Sequence, residues 1–236
     1  MKKKLVVLSG AGMSAESGIR TFRDSDGLWE EYRVEDVCSV DAWTKNPTLV
    51  LDFYNQRRAQ LNDVTPNKGH ELIAQVEEFF DVNVITQNVD NLHERAGSTK
   101  VMHLHGELTK VRSTTDSSLI YDIGTKPIIP GDLCEKGSQL RPHIVWFGEE
   151  VPLIMDATSI IRKADVLIII GTSLNVYPAA GLSEYRSPNC KTWYIDPKPD
   201  NLKSRSNITV IAEKASVGLA EILPSLRSFS SFSAEL

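Results

Sequence analysis

The apolar positions of this chain come in short runs, and each run stops at small or polar residues. Leu5-Val6-Val7-Leu8 stops at Ser9-Gly10, and Val82-Asn83-Val84-Ile85-Thr86 at Gln87-Asn88. Val166-Leu167-Ile168-Ile169-Ile170 stops at Gly171-Thr172-Ser173, and Thr192-Trp193-Tyr194-Ile195 at Asp196. Ile208-Thr209-Val210-Ile211 leads to Lys214-Ala215-Ser216. Such runs, bounded by turn formers, predict buried strands. Stretches of helical spacing lie between them. Residues 34–62 are expected to be helical, with Asn46-Pro47 as a start because proline is tolerated in the first turn. Within it Val50, Tyr54, Arg57 and Leu61 recur at steps of four, three and four and so share a face. Gly69–Val76 and 217–226 read as further helices, and Ile154–Lys163 as an amphipathic stretch. Strands alternating with helices predict an α/β fold, a Rossmann-like, doubly wound parallel sheet with helices on both faces. Residues 109–142 break the pattern with turn-like clusters such as Ile129-Pro130-Gly131-Asp132, which reads as a smaller inserted subdomain.

Composition narrows this little. The 236 residues suit one large domain, or one with an insertion. A formal net charge of −5 argues against a non-specific nucleic-acid binder. Cys38, Cys134 and Cys190 are too widely spaced for a disulfide framework or a C-x-x-C metal knuckle. The apolar stretch after Lys2-Lys3-Lys4 is too short for a signal peptide, and no segment has the length to cross a bilayer. A cytoplasmic protein is therefore expected, with residues 227–236 as a flexible tail.

Candidate chemistry gathers at the strand ends. Gly10-Ala11-Gly12 after the first strand is a tight turn that suits a phosphate, although the G-x-G-x-x-G fingerprint is incomplete. Ser14 and Ser17 offer hydroxyls where a helix would begin. Phe22 and Arg23 fall in a polar, aromatic stretch read as a loop beside a ligand. Gln87, Asn88 and Asp90 crowd a strand's C-terminal end, where they suit ribose hydroxyls and an amide or simply form a turn. His103 and His105 alternate, so in a strand they point the same way. They lack the companions a metal site needs; one as a general base is the better functional reading, with His103 a packed, hydrogen-bonded residue. Arg57 on an apolar stripe needs an acceptor. Residues 141–149 read as a strand, as core or as an exposed peptide-docking edge.

Six motifs then occur in order: Gly10-Ala11-Gly12-Met13-Ser14-Ala15-Glu16-Ser17-Gly18-Ile19, Thr21-Phe22-Arg23, Thr86-Gln87-Asn88-Val89-Asp90-Asn91-Leu92-His93, His103-Leu104-His105-Gly106, Val145-Trp146-Phe147-Gly148-Glu149 and Gly171-Thr172-Ser173. Over nearly its full length the chain resembles the sirtuins, NAD-dependent protein-lysine deacylases. The resemblance implies NAD held by Gly10, Ala11, Gly12, Ser14 and Ala15 around the pyrophosphate, with Phe22 and Arg23 in a mobile loop. It implies Gln87 at the nicotinamide ribose, Asn88 and Asp90 in the nicotinamide pocket, and Gly171, Thr172, Ser173, Asp196, Lys214 and Ala215 facing the adenosine half. His105 would be the catalytic base on the ribose hydroxyls. Val145, Trp146, Phe147, Gly148 and Glu149 would bind the acyl-lysine substrate, Val145, Phe147 and Gly148 pairing with its backbone. Tyr54 and Arg57 resemble the Tyr-x-x-Arg pair of the bacterial class that prefers acidic acyl groups, with Ala42 leaving room beside them. A bidentate arginine suits a succinyl or malonyl carboxylate, and the tyrosine would donate a further hydrogen bond.

The implied reaction removes acetyl and succinyl or malonyl groups from protein lysines and releases nicotinamide and O-acyl-ADP-ribose. The alternatives are an NAD-consuming hydrolase or ADP-ribosyltransferase on the same scaffold, and a non-catalytic NAD-binding module. The expected partners are acyl-lysine side chains, with no nucleic acid, no membrane and a monomeric chain. Two departures stand out. Sirtuins usually carry two cysteine pairs for a structural zinc. Here Ser113 stands near the first expected cysteine and only Cys134 follows, so no zinc is expected. The subdomain would rest instead on Leu119, Ile120, Tyr121, Ile123, Ile128 and Ile129. Asp196 replaces the more common asparagine, and both accept from a ribose hydroxyl. The catalytic domain is expected over 1–226, with a Rossmann-like part (1–24, 64–108, 143–226) and a small part (25–63, 109–142).

Overall fold

The computed structural model describes residues 1–20, 28–29, 32–199 and 207–231. In chain order, β1 (Lys4–Ser9) leads to a single turn, α1 (Gly12–Ala15), then β2 (Leu28–Trp29) and β3 (Tyr32–Arg33). The stretch expected to be helical divides into α2 (Val34–Val37), α3 (Val40–Lys45) and α4 (Pro47–Gln60). Ser39 and Asn46 divide it, because each side chain caps the next helix: Ser39 Oγ accepts from Ala42 N and Asn46 Oδ1 from Leu49 N. Next come α5 (Lys68–Val76), β4 (Asp81–Thr86), α6 (Leu92–Arg95), β5 (Val101–His103), β6 (Gly106–Ser113), β7 (Ile120–Asp122) and β8 (Leu140–Ile144). The chain continues through α7 (Ile154–Ile161), β9 (Val166–Ile170), a 3₁₀ helix (Ala179–Tyr185), β10 (Lys191–Ile195), β11 (Ile208–Ile211) and α8 (Ala215–Ser231).

The main sheet has the order β5-β4-β1-β9-β10-β11, parallel throughout. Strand order therefore reverses between β1 and β9, which places a ligand crevice beyond their C-terminal ends. Helices cover both faces. Leu5, Val7 and Ile168 pack toward α5 and α8, while Val6, Leu8 and Ile169 pack toward α7. The period of two within buried strands puts alternate residues into the two layers. Helix α8 runs to Ser231 rather than ending at 226. Phe229 packs on the core, and Lys3 Nζ donates to its carbonyl at 2.7 Å. The expected tail is thus helical over its first five residues, 227–231.

The small part is an antiparallel sheet, β7-β6-β8, beside α2, α3 and α4. It begins at Gly106 and closes at Ile144, which pair with each other, slightly wider than the expected 109–142. Gly106 has φ +84°, and a Cβ there would lie 2.0 Å from His143 O. Only glycine lets the two strands meet this closely.

Candidate active site

The turns that end β1 and β9 touch. Gly10 N donates to Ile170 O at 3.0 Å and Gly12 N to Gly171 O at 2.8 Å. Gly171 has φ +60°, and a Cβ there would stand 2.3 Å from Met13 N. Ala11 and Gly12 open α1 and are half-buried, and Ala15 is exposed at its end. Ser14 does not cap this turn, as its position suggested, because it is the third residue inside it, after the cap position at Ala11. Its hydroxyl donates to Asp90 Oδ2 at 2.9 Å and accepts from Asn88 Nδ2 at 3.0 Å. Ser17 does not cap it either; its Oγ accepts from Asn67 Nδ2 at 3.0 Å.

The segment after β4 meets this network. Gln87 Nε2 donates to Thr172 Oγ1 at 3.1 Å, joining the ends of β4 and β9. Asp90 also accepts from Leu92 N at 3.1 Å, and burial pushes its carboxyl above the usual range. His105 Nδ1 lies 3.1 Å from Gln87 O. A carbonyl only accepts, so Nδ1 carries the proton and Nε2 the lone pair. Burial lowers the pKa of this ring, which keeps it in the neutral form a general base requires. His103 and His105 do not share a strand face: β5 ends at His103, and His105 sits in the turn to β6.

Of the residues expected to face the adenosine half, Ser173 is half-buried after the β9 turn, and Asp196 is buried beyond β10, its Oδ1 accepting from Lys198 N at 2.9 Å. Lys214 is exposed and Ala215 buried where α8 opens. Glu16, which sequence reasoning passed over, caps that helix: its carboxylate accepts from Ser216 N at 3.0 Å and Oγ at 2.7 Å. An acidic residue four positions after a glycine turn carries no local sign of a partner 200 residues away. Phe22 and Arg23 lie outside the described residues.

On the small-domain side, Arg57 and Asp90 line one cavity with Val89, Leu61 and Leu108. Tyr54 does not join them with its hydroxyl, although it shares the α4 face. That hydroxyl is fully buried, donates to Cys38 Sγ at 3.4 Å and accepts from Trp146 Nε1 at 3.1 Å. Burial raises the Tyr54 pKa well above its ordinary value and pushes the Cys38 thiol up to about 12, so both stay protonated. Ala42 is buried in the same core.

The 145–149 segment separates into two roles. Phe147 is 56% exposed, yet its N–H donates to Cys38 O at 2.9 Å and its carbonyl accepts from Val40 N at 3.3 Å. Its main chain is therefore already paired, and its side chain is what faces outward. Val145 N donates to His105 O at 2.9 Å, tying this edge to the catalytic candidate. Gly148 turns with φ +94°. Trp146 and Glu149 face inward instead. Trp146 is buried under Arg141, whose Cζ lies 3.3 Å from the ring centroid. Glu149 is held by Arg141, by Arg112 and by Trp146 N at 2.8 Å, so it braces the edge rather than offering itself to a substrate.

The family model described as Sir2 family matches residues 10–178. The chain belongs to the Sir2 family. It is 54% identical over 224 residues to an NAD-dependent protein deacylase of Helicobacter pylori, covering 95% of this chain and 97% of that one. A solved Sir2 homologue mutant in complex with ADP-ribose superposes with a TM-score of 0.88 at 39% identity, over 100% of this chain and 95% of the other. A Sir2 homologue in complex with NAD gives 0.85 at 39%, over 97% and 91%.

The residues around Ser113 and Cys134, where the resemblance implied cysteine ligands for a zinc, do not suit the metal. Ser113 Oγ accepts from Cys134 Sγ at 3.4 Å, Thr115 Oγ1 meets Ser138 Oγ at 2.7 Å, and Lys136 pairs with Asp116 at 2.7 Å. Among the described residues no group of three or more His, Cys, Asp or Glu is arranged to hold an ion. Of the apolar residues expected to replace it, Ile128 is buried, Tyr121 and Ile123 pack against the same cluster, and Ile120 and Ile129 are exposed. A polar tie adds to them: Asn55 Oδ1 accepts from Ile128 N at 2.9 Å and Asn55 Nδ2 donates to Ile128 O at 2.7 Å. Arg58, fully buried, donates to Leu108 O at 2.6 Å and to Asn55 Oδ1 at 2.7 Å, and burial lowers its pKa to about 10. A helical-period reading places Arg58 beside the apolar stripe and so misses it.

Proposed function

We propose that this chain, an NAD-dependent protein deacylase, removes acidic acyl groups, succinyl and malonyl, as well as acetyl from protein lysines, leaving nicotinamide and O-acyl-ADP-ribose. The observation that carries the acidic-acyl reading is Arg57 lining one cavity with Asp90, a guanidinium next to the candidate nicotinamide pocket. NAD supplies an activated glycosidic carbon to which the acyl oxygen is transferred. The chain's residues do the rest. Asn88 and Asp90, locked through Ser14, hold the carboxamide of the leaving nicotinamide. Gln87 orients the ribose. His105, neutral with its lone pair on Nε2, takes a proton from a ribose hydroxyl. Arg57 forms a charge-assisted bond with an acyl carboxylate. The apolar surroundings of Trp146 and Leu108 exclude water that would otherwise hydrolyse NAD.

The test is NAD-dependent turnover of acetyl, malonyl and succinyl forms of one peptide, with Arg57→Met alongside. Selective loss of malonyl and succinyl turnover in the variant supports the assignment, and equal loss on all three overturns it. Nicotinamide release without acylated peptide, at the same rate as with it, would replace the deacylase reading with that of a hydrolase.

A further inference from the structure

His103 is almost fully buried, and both of its ring nitrogens face acceptors. Nδ1 lies 2.8 Å from Asn88 O and Nε2 lies 2.7 Å from Glu94 Oε1. A neutral imidazole owns one N–H and would point its remaining lone pair at an oxygen lone pair. Only the imidazolium satisfies both contacts, provided that Glu94 is a carboxylate. The directions agree: burial opposes the charge on His103, but Glu94 overcomes it and raises the ring's pKa, while His103 holds Glu94 down.

Other groups close around the pair. Glu107 on β6 adds to the attraction, Lys110 acts on Glu94, and His93 on α6 is neutral through burial. Asp90 feels the His103 charge against the burial that would protonate it. The geometry is paired with that of His105. Two successive carbonyls, Gln87 and Asn88, are each gripped by a histidine, one by His105 and the next by His103. The Asn88 side chain in turn reaches Ser14, and Ser14 reaches Asp90.

We propose that His103 is a permanent imidazolium at neutral pH and the positioning residue of the nicotinamide pocket, fixing the Asn88 main chain and setting a positive charge behind the Asp90 carboxylate. This rests on the reading of Asn88 and Asp90 as nicotinamide-binding residues. His103 touches no reacting atom. Its loss therefore appears in NAD binding, not in the chemical step.

The experiment joins ¹⁵N NMR of histidine-labelled protein with kinetics of His103→Gln, Glu94→Gln and Asp90→Asn. At pH 7.5 one of the five histidines should show both ring nitrogens protonated, and His103→Gln should remove that signal. The same variant should raise the KM for NAD and the nicotinamide inhibition constant about tenfold, as loss of a charged hydrogen bond predicts, with kcat changed less than about threefold. Glu94→Gln should move the alkaline limb of kcat/KM for NAD to lower pH. A neutral His103 ring at pH 7.5, or an unchanged KM for NAD in His103→Gln while Asp90→Asn raises it, overturns the proposal alone. If Asp90→Asn leaves both constants unchanged, the pocket reading itself falls. The NMR result on the unaltered protein stands even if a variant does not fold.

Discussion

Glu149 grips Arg141 through two parallel contacts, Oε1 to Nη1 at 2.7 Å and Oε2 to Nη2 at 3.1 Å. Arg141 is 8% exposed and stacks on Trp146, and Glu149 also accepts from Trp146 N, so the pair fixes the edge that carries Phe147 and Gly148. Removing one partner of such a pair leaves a buried charge. Glu149→Ala should lower stability by about 3–5 kcal/mol and raise the KM for acylated peptide more than that for NAD. Denaturant midpoints and two-substrate kinetics test this; an unchanged peptide KM would show that the edge does not depend on the brace.

Tyr54 has one proton to donate, and Cys38 holds it. Cys38→Ala should free that proton for an acyl carboxylate. The ratio of succinyl to acetyl kcat/KM should then rise about fivefold, the worth of one ordinary hydrogen bond. A flat ratio would remove Tyr54 from the acyl pocket and leave Arg57 alone there. Tyr54→Phe should instead cost roughly 1–3 kcal/mol of stability, because it strands the buried Trp146 N–H.

Gly171→Ala combines a left-handed backbone with a Cβ driven against Met13 N. Gly124 has a similar φ of +58° but nothing within 4 Å of an added Cβ. Gly124→Ala should cost only about 1–2 kcal/mol, the conformational term alone. Gly171→Ala should cost clearly more and abolish NAD binding by calorimetry. Equal costs would show that the two turns can separate.

His70 caps α5, its Nδ1 accepting from Asn67 N, and burial lowers its pKa to about 4. Its neutral form is therefore the native one. Its contribution is complete above pH 6.5 and is lost as pH falls toward 4, a swing of about 3 kcal/mol. His70→Gln preserves the capping-box geometry without titrating. Its stability should fall less steeply between pH 6.5 and 4 in pH-dependent denaturation; a parallel curve would refute the assignment.

The Ser113, Cys134 and Asp116 contacts lead us to expect well under one zinc per chain by metal analysis. Deacylation should also be unchanged after exhaustive chelation. About one zinc per chain, with activity lost on its removal, would contradict this.

Apolar runs and glycine turns were legible in the chain because their causes are local. A strand buried on both faces must be apolar along its length, as Val166–Ile170 is, and a turn without room for a Cβ must be glycine. These made the parallel sheet, the crevice at Gly10 and Gly171, and the segment Gln87–Asp90 readable from residue order alone. The polar partnerships were not. Tyr54 and Trp146 are 92 residues apart, Glu16 and Ser216 are 200 apart, and no periodicity records either pairing. The alternation of His103 and His105 placed both on one strand face, and a packed, hydrogen-bonded role for His103 named no partners. Where β5 stops decided otherwise, giving one ring two acceptors and the other a single carbonyl. A side chain's protonation and role depend on which atoms surround it, and only the folded packing of distant segments sets that.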